Sequence, residues 1–430
     1  MKWLMFSPVV RRSAIGRMSV LVTEALIAGG HEVKIVRTEI DPTGDDHDFG
    51  VPVISWTDSK EVEAAARDSD FNLYQVGDNF PFHAGAIHWL PKLPGALCLH
   101  DFFVGSLFRE WCEYHGVEPD DIVEEWYGKD VVGPYRAVLK LVNYVDRTAA
   151  TVPMTEWLCS QATSVVTHSS WGIDRVLRSC AGPVRTTALP YRSAVSATRV
   201  RAPGLETLRL LTVGHVNQNK RIDTVIRSIG SSAHLRDCIT YSVLGQVQPD
   251  VQLELIRLAR AQGVRLAIPG VVDDQALANA LAEADVVVAL RWPCLEAASA
   301  SVIESLLAGK PTIVTRAAFY DELPDDCVWK VEPGAEAEGV RDALEHLLSD
   351  PAARLQLGRR AQAFALATYT ADHYVETLEA LATDLYAMAP LMQTVDELLE
   401  TMRRWGPSVP TAETFAVTPL ADLWAGNRGS

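Results

Sequence analysis

Glu296 and Glu304 have seven residues between them in Leu295-Glu296-Ala-Ala-Ser-Ala-Ser-Val-Ile-Glu304-Ser-Leu-Leu-Ala-Gly-Lys-Pro311, and this spacing points to chemistry. The apolar run 285–290 precedes a small-residue turn, and a helical stretch follows that Gly309 and Pro311 stop. The pattern predicts strand, loop and helix. Ligands in open α/β sheets sit beyond the carboxyl ends of strands, where a helix start offers N–H groups to an anion. Two carboxylates beside such an anion seat are suited to sugar hydroxyls. A plainer reading competes: Ser301-Val-Ile-Glu304 is a capping box in which Glu304 serves only the backbone of Ser301, and Glu296 is a solvated loop acid.

Other segments bear on that choice. The first predicted strand runs into Ser7-Pro-Val-Val-Arg-Arg-Ser-Ala-Ile-Gly16-Arg17, where Gly16 at a helix start would let a phosphate approach the backbone. An ordinary strand-to-helix turn would look the same. Arg11, Arg12 and Arg17 place three cations within seven positions of an acidic chain, and a ligand contact is expected of at least one. Further on, Gly214 follows a strand and Lys220-Arg221 precedes a helix, so Lys220 is in reach of a diphosphate as a point charge. Taken alone, Lys220 reads as an exposed surface lysine, as most lysines are, and only its neighbours give the ligand reading weight. Neither the dinucleotide glycine fingerprint nor a P-loop occurs, which argues against an oxidoreductase of that kind.

Composition narrows the partners. A net charge of −16 disfavours nucleic acid or an anionic membrane, both of which demand a cationic footprint. The stretch 135–147, with Arg136, Lys140 and Arg147 among apolar residues, is the one segment that leans toward a membrane surface. No apolar run approaches the ~20 residues of a membrane span, and the N-terminal Met1–Phe6 is too short for a signal peptide. Seven scattered cysteines fit a reducing, cytoplasmic setting better than a disulfide framework or zinc site. Two Asp-x-Asp strings, Asp46-His47-Asp48 and Asp68-Ser69-Asp70, lie in loops and not past strand ends, so no metal site is expected from them. Oligomeric state leaves no sign.

Short β-rich runs alternate with helical patterns along the chain, which predicts an α/β protein with two Rossmann-like, doubly wound domains of parallel strands. The expected division is an N-terminal domain over 1–190, a linker at 191–207, a second domain over 208–370, C-terminal helices over 371–406 and a tail from 407 to 430. Two domains also suit 430 residues, more than one core usually holds.

Together these segments resemble the retaining glycosyltransferases of family 4, which have the GT-B fold of two Rossmann-like domains facing across a cleft. Gly30-His31-Glu32-Val33, the segment Gly214 to Lys220, and Glu296, Glu304 and Ala308 to Pro311 carry the resemblance. It implies sugar transfer from a nucleoside diphosphate sugar to a small-molecule or glycan acceptor, of hexosyltransferase type, with retention at the anomeric carbon and without metal or cofactor. In the family the departing phosphate takes the acceptor's proton. The resemblance makes His100, Glu296 and Lys220 catalytic, with His100 facing the donor sugar, Glu296 on its hydroxyls and Glu304 on the ribose. Ala298, Ser299, Ala300 and Ser301 present N–H groups, while Gly245, Gly270 and Val272 lie by the base. Gly16, Gly214, His215, Arg221 and Arg291 complete the donor side. Arg11, Arg12, Arg17, Asn79, His83 and Asp101 are acceptor-side candidates, with Asn79 and His83 expected on a loop.

Two departures stand out. The family usually has Arg after the glycine where this chain has His215, so a second diphosphate cation is missing or is supplied by Arg221, Arg291 or an N-domain arginine. The common Glu-Gly-Phe-Gly run is here Glu296-Ala-Ala-Ser299, which leaves the sugar open, as are the base (UDP, GDP or TDP) and the linkage. Alternatives on the same fold are a nucleotide-sugar epimerase, a phosphorylase, or a non-catalytic nucleotide-sugar-binding partner of a transferase. The aromatics Trp89, Phe102, Phe103, Phe108, Trp111, Trp126 and Tyr127 would stack on an acceptor or, more simply, fill the core.

Overall fold

The computed structural model describes residues 1–41, 44–141, 143–193 and 207–405. Residues 194–206 of the expected linker and the 407–430 tail lie outside the described residues. The chain divides into a body, Met1–Glu379, and a second unit, Ala380–Ser430.

The body holds two parallel sheets. The first contains β1 (Lys2–Ser7), β2 (Glu32–Arg37), β3 (Val53–Ser55), β4 (Phe71–Val76), β5 (Ala96–Leu99), β6 (Ser164–Thr167) and β7 (Val184–Thr186), ordered β3-β2-β1-β4-β5-β6-β7. The second contains β8 (Leu208–Val213), β9 (Ile239–Leu244), β10 (Arg265–Gly270), β11 (Val286–Ala289), β12 (Thr312–Thr315) and β13 (Trp329–Val331), ordered β10-β9-β8-β11-β12-β13. Central strands read as continuous apolar runs because helices cover both faces: every residue of β5, β6, β11 and β12 is buried. The edge strand β10 instead tolerates Pro269, whose missing N–H costs nothing beside solvent.

Each sheet reverses its order around its first strand: β1 lies between β2 and β4, and β8 between β9 and β11. The crevice at the carboxyl ends of these strands is where such sheets take ligands. The first helix spans Ala14–Ala28, two residues earlier than the Gly16 start expected from the glycine, because Ser13 caps it through Gly16 N–H at 3.1 Å.

Five short helices between Gly105 and Cys159 separate β5 from β6. Trp89 and Phe108 are buried in the core and Trp111, Trp126 and Tyr127 pack against it, so the aromatic wealth of this region is structural. C-terminal to β13 the chain is helical: Glu336–Ser349, Pro351–Thr368 and Ala371–Trp405. The last runs through Pro390, whose one missing N–H does not end it.

Candidate active site

Three glycines shape the carboxyl ends of the second sheet. Gly214, Gly245 and Gly270 follow or end β8, β9 and β10 with φ of 107°, 145° and 85°. Gly214 N–H donates to Leu244 O at 2.8 Å and Gly245 N–H to Gly270 O at 2.9 Å. A Cβ on Gly245 would come within 2.2 Å of Gly214 O, so only glycine allows the strand ends to approach this closely. His215 is exposed; burial of part of its ring, then Lys220, lowers its pKa. Val272 packs on the apolar cluster of Leu244 and Leu281.

Lys220 is only 7% exposed, which corrects its reading as a surface lysine. Its Nζ donates to Val213 O at 3.1 Å. Burial, then the charge of Arg291, holds its pKa well below the usual lysine value, against the pull of Glu296. Arg291 is also buried; its Nε donates to Glu296 Oε1 at 2.9 Å and Nη2 to Ser301 Oγ at 3.4 Å. Tyr320 Oη donates to the same Glu296 oxygen. Burial would raise the Glu296 pKa, but Arg291, Tyr320 and Lys220 outweigh it and hold the carboxylate ionised. Arg221 pairs instead with Glu336 at 3.9 Å.

The helix after this loop spans Ala300–Leu307 with Ser299 as N-cap. Ser301 is therefore already helical, and the capping box that the sequence allowed does not form. Glu304 is buried, and Tyr191 Oη donates to its Oε2 at 3.4 Å. Burial raises the Glu304 pKa, opposed chiefly by Arg17. The first N–H groups of the helix have no intrahelical acceptor and remain available beside Ala298 and Ser299.

The two sheets meet at this loop. Asp101 and Glu296 form an antiparallel β-bridge, and Ala297 N–H donates to His100 O at 3.0 Å. Phe102 and Phe103 N–H both donate to Leu295 O, at 2.8 and 3.0 Å. His100 is buried, 2.7 Å from Gln75 Oε1 through Nε2 and with its ring centroid 4.7 Å from that of His168. Burial, then His168 and His83, holds His100 neutral.

The acceptor-side candidates separate. His83 lies inside the helix Phe80–Trp89, not on a loop, and its Nε2 accepts from Gly77 N–H at 3.1 Å. Burial lowers its pKa to about 3. Asn79 is the N-cap of that helix. Pro81, at the second helical position, supports this start, a signal the sequence offered. Arg12 lies 5.2 Å over the Phe82 ring and, with Asn79, His83, His100 and Asp101, lines a cavity of about 330 Å³. Arg11 is tied to Asp45 at 3.0 Å on the surface. Arg17 falls elsewhere: its Nη2 donates to Asp274 Oδ1 at 2.7 Å, next to Tyr191 and Glu304. Gly16 packs against Pro8 O, which a Cβ would meet at 2.7 Å.

Asp68 bonds Lys2 and Lys34, and Asp46 pairs with Arg37, so both Asp-x-Asp strings are held by the protein's own cations. Among the described residues no group of three or more His, Cys, Asp or Glu side chains is gathered as metal ligands would be. Tyr191, Asp274 and Tyr320 joined the site without notice, since each meets its partner across 24 or more residues of chain.

Residues 200–364 match the family model described as Glycosyl transferases group 1. No curated protein matches the chain. Solved structures of similar fold include sucrose-phosphate synthase from Thermosynechococcus elongatus, at 14% identity and a TM-score of 0.62, covering 92% of this chain and 100% of that one. Anabaena Alr3699/HepE, solved with UDP and glucose, aligns at 14% identity and a TM-score of 0.57 over 88% of this chain and 100% of its own. WaaG, a glycosyltransferase involved in lipopolysaccharide biosynthesis, does so at 14% and 0.56 over 89% and 99%. The fold is that of GT-B glycosyltransferases.

Proposed function

We propose that the protein transfers a sugar from a nucleoside diphosphate sugar to an acceptor with retention of anomeric configuration, as the family 4 resemblance implies and without a metal ion. The observation that carries this reading is the meeting of Arg291, Glu296 and Lys220 with His100 and Asp101 at the facing strand ends. A neighbour of the same fold was solved with UDP and glucose, which supports a nucleotide-sugar donor. In this reading residues 208–370 carry the donor and residues 1–190 the acceptor. Glu296, kept ionised, accepts hydrogen bonds from the transferred sugar, and Glu304 does so from the ribose. Lys220 and the N–H groups at Ala300 and Ser301 offset charge growing on the leaving diphosphate, and Arg291 fixes Glu296 while adding to the local positive potential. His215 in place of the usual arginine puts more of that burden on Lys220 and Arg291. Positioning in a gap that excludes water supplies the rest.

Melting temperatures with UDP, GDP and TDP test the donor half, since a nucleotide that binds only the folded state raises the melting temperature. One nucleotide should stabilise the wild type, and Lys220→Ala should abolish that shift. Transfer should be lost in Glu296→Ala. A wild-type protein that binds a nucleotide sugar but transfers to no acceptor would favour the non-catalytic partner instead.

A further inference from the structure

The helix Ala371–Trp405 runs unbroken through Pro390, so residues on either side of the proline share one helical phase. From Leu385 onward its apolar residues recur at alternating steps of three and four: Leu385, Met388, Met392, Val395, Leu399 and Met402. This is the repeat of a seam that packs against another helix, with both core positions of each heptad apolar. By number, Leu391 and Leu398 flank the seam on one side, and Ala389 and Asp396 on the other. Pro390, Glu397 and Arg404 fall at the heptad position farthest from the seam, where a proline ring meets no neighbouring helix. Leu391 and Leu398 are 37% and 38% exposed, and Leu385, Met388 and Val395 are half-buried. Leu381, one step earlier in the repeat, is 2% exposed, so the uncovered seam begins at Leu385.

A continuous exposed apolar face of this kind marks an interaction site. A membrane does not suit it: among the described residues no helix is long and apolar enough to cross one. An anionic membrane surface does not suit it either, since the segment carries Asp384, Asp396, Glu397 and Glu400 against Arg403 and Arg404, in a chain of net charge −16. The residues after Trp405 hold Pro407, Pro410 and Pro419 and no repeat of this period, so they offer no matching helix. A second copy of the chain brings a helix of the same period.

We infer that residues 385–402 pair with the same residues of a second copy as an antiparallel two-stranded coil. In that register Leu385 stands opposite Met402 of the second copy, Met388 opposite Leu399, and Met392 opposite Val395. The two-fold axis repeats each layer, so every core position is used and none is left over. Leu391 then meets Leu398 of the second copy, which covers both exposed leucines of the flank. Arg403 and Arg404 come to the end of the second helix that holds Asp384, whereas a parallel pair would set these arginines beside their own copies. The seam is about 27 Å long at 1.5 Å per residue, short for a free coil. Its helix is already started by buried Tyr374 and Leu378 in the first turns, so pairing need not supply the cost of nucleation.

The test uses the full chain. Sedimentation equilibrium should give twice the chain mass at about 100 μM and a single-chain mass on dilution, as for a pair with a Kd of about 10 μM. Val395→Glu sets a charge in the central layer while keeping a good helix former, and should raise that Kd about 10-fold or more. Thr394→Glu, one residue away and off the seam, should leave it within about threefold. Met388→Cys mixed with Leu399→Cys should form a disulfide between copies under mild oxidation. Neither should do so alone, since like positions lie about 16 Å apart along an antiparallel pair. A single-chain mass at the higher concentration, a mass above two chains, or Val395→Glu pairing as tightly as wild type overturns the inference. Disulfide formation by Met388→Cys or Leu399→Cys with itself overturns the antiparallel order. A single-chain wild type that sediments with phosphatidylglycerol vesicles gives the face to a membrane and overturns the pairing as well.

Discussion

Asp101→Asn should make the protein more stable at pH 8 and leave it unchanged in acid. The carboxyl is sunk in the gap with a small part open to the cavity, has one backbone donor and faces the ionised Glu296. Burial first, with Glu296 adding and the Asp78 N–H bond opposing, raises its pKa from 3.8 to about 7. A raised carboxyl pKa means that the folded state holds its proton more tightly than the unfolded chain. Stability is then intact below pH 4, falls as pH rises toward 7, and stays reduced above it. Three pH units at about 1.36 kcal/mol each set a ceiling of about 4 kcal/mol on the cost of the ionised group. The part of the carboxyl open to the cavity lowers that figure, so a gain of about 1–4 kcal/mol is expected for the asparagine, whose carbonyl can still accept from Asp78 N–H. At about 2 cal/mol/K per residue this is roughly 1–4 °C in melting temperature for a chain of this length. Thermal melts of both proteins at pH 5 and pH 8 measure it, and the difference should shrink by half or more at pH 5. A difference that does not change with pH, or an asparagine variant that melts below wild type at pH 8, would refute the reasoning.

Glu296→Ala should cost about 3–5 kcal/mol of stability in addition to transfer, because it leaves the buried Arg291 guanidinium without its carboxylate; Glu296→Gln should cost less, and denaturant titration separates the two. Gly245→Ala should destabilise by about 2–4 kcal/mol, since its φ of 145° and the 2.2 Å approach to Gly214 O both forbid a side chain; a melting temperature equal to wild type would contradict the close strand-end geometry.

The alternation of apolar runs with helical patterns determined the two parallel sheets, because buried parallel strands must be apolar on both faces and their crossovers must be helices. The same local logic placed Gly214 just past a strand end and Glu296 in the loop after β11. Local pattern failed where a partner lay far along the chain. Ser301-Val-Ile-Glu304 satisfies the capping-box pattern, yet Glu304 turns to Tyr191, 113 residues away, because its helix begins one residue before Ser301. Arg11, Arg12 and Arg17 look alike in the sequence, and only packing sends one to Asp45, one over Phe82 and one to Asp274. Lys220 could not be told from a surface lysine until β8, Arg291 and Glu296 closed around it. Periodicity thus determined which elements form, since it reports on a residue's nearest neighbours. Burial, ionisation and the company of Asp101 were decided by the tertiary structure, because they depend on groups that only the folded chain brings within a few ångströms.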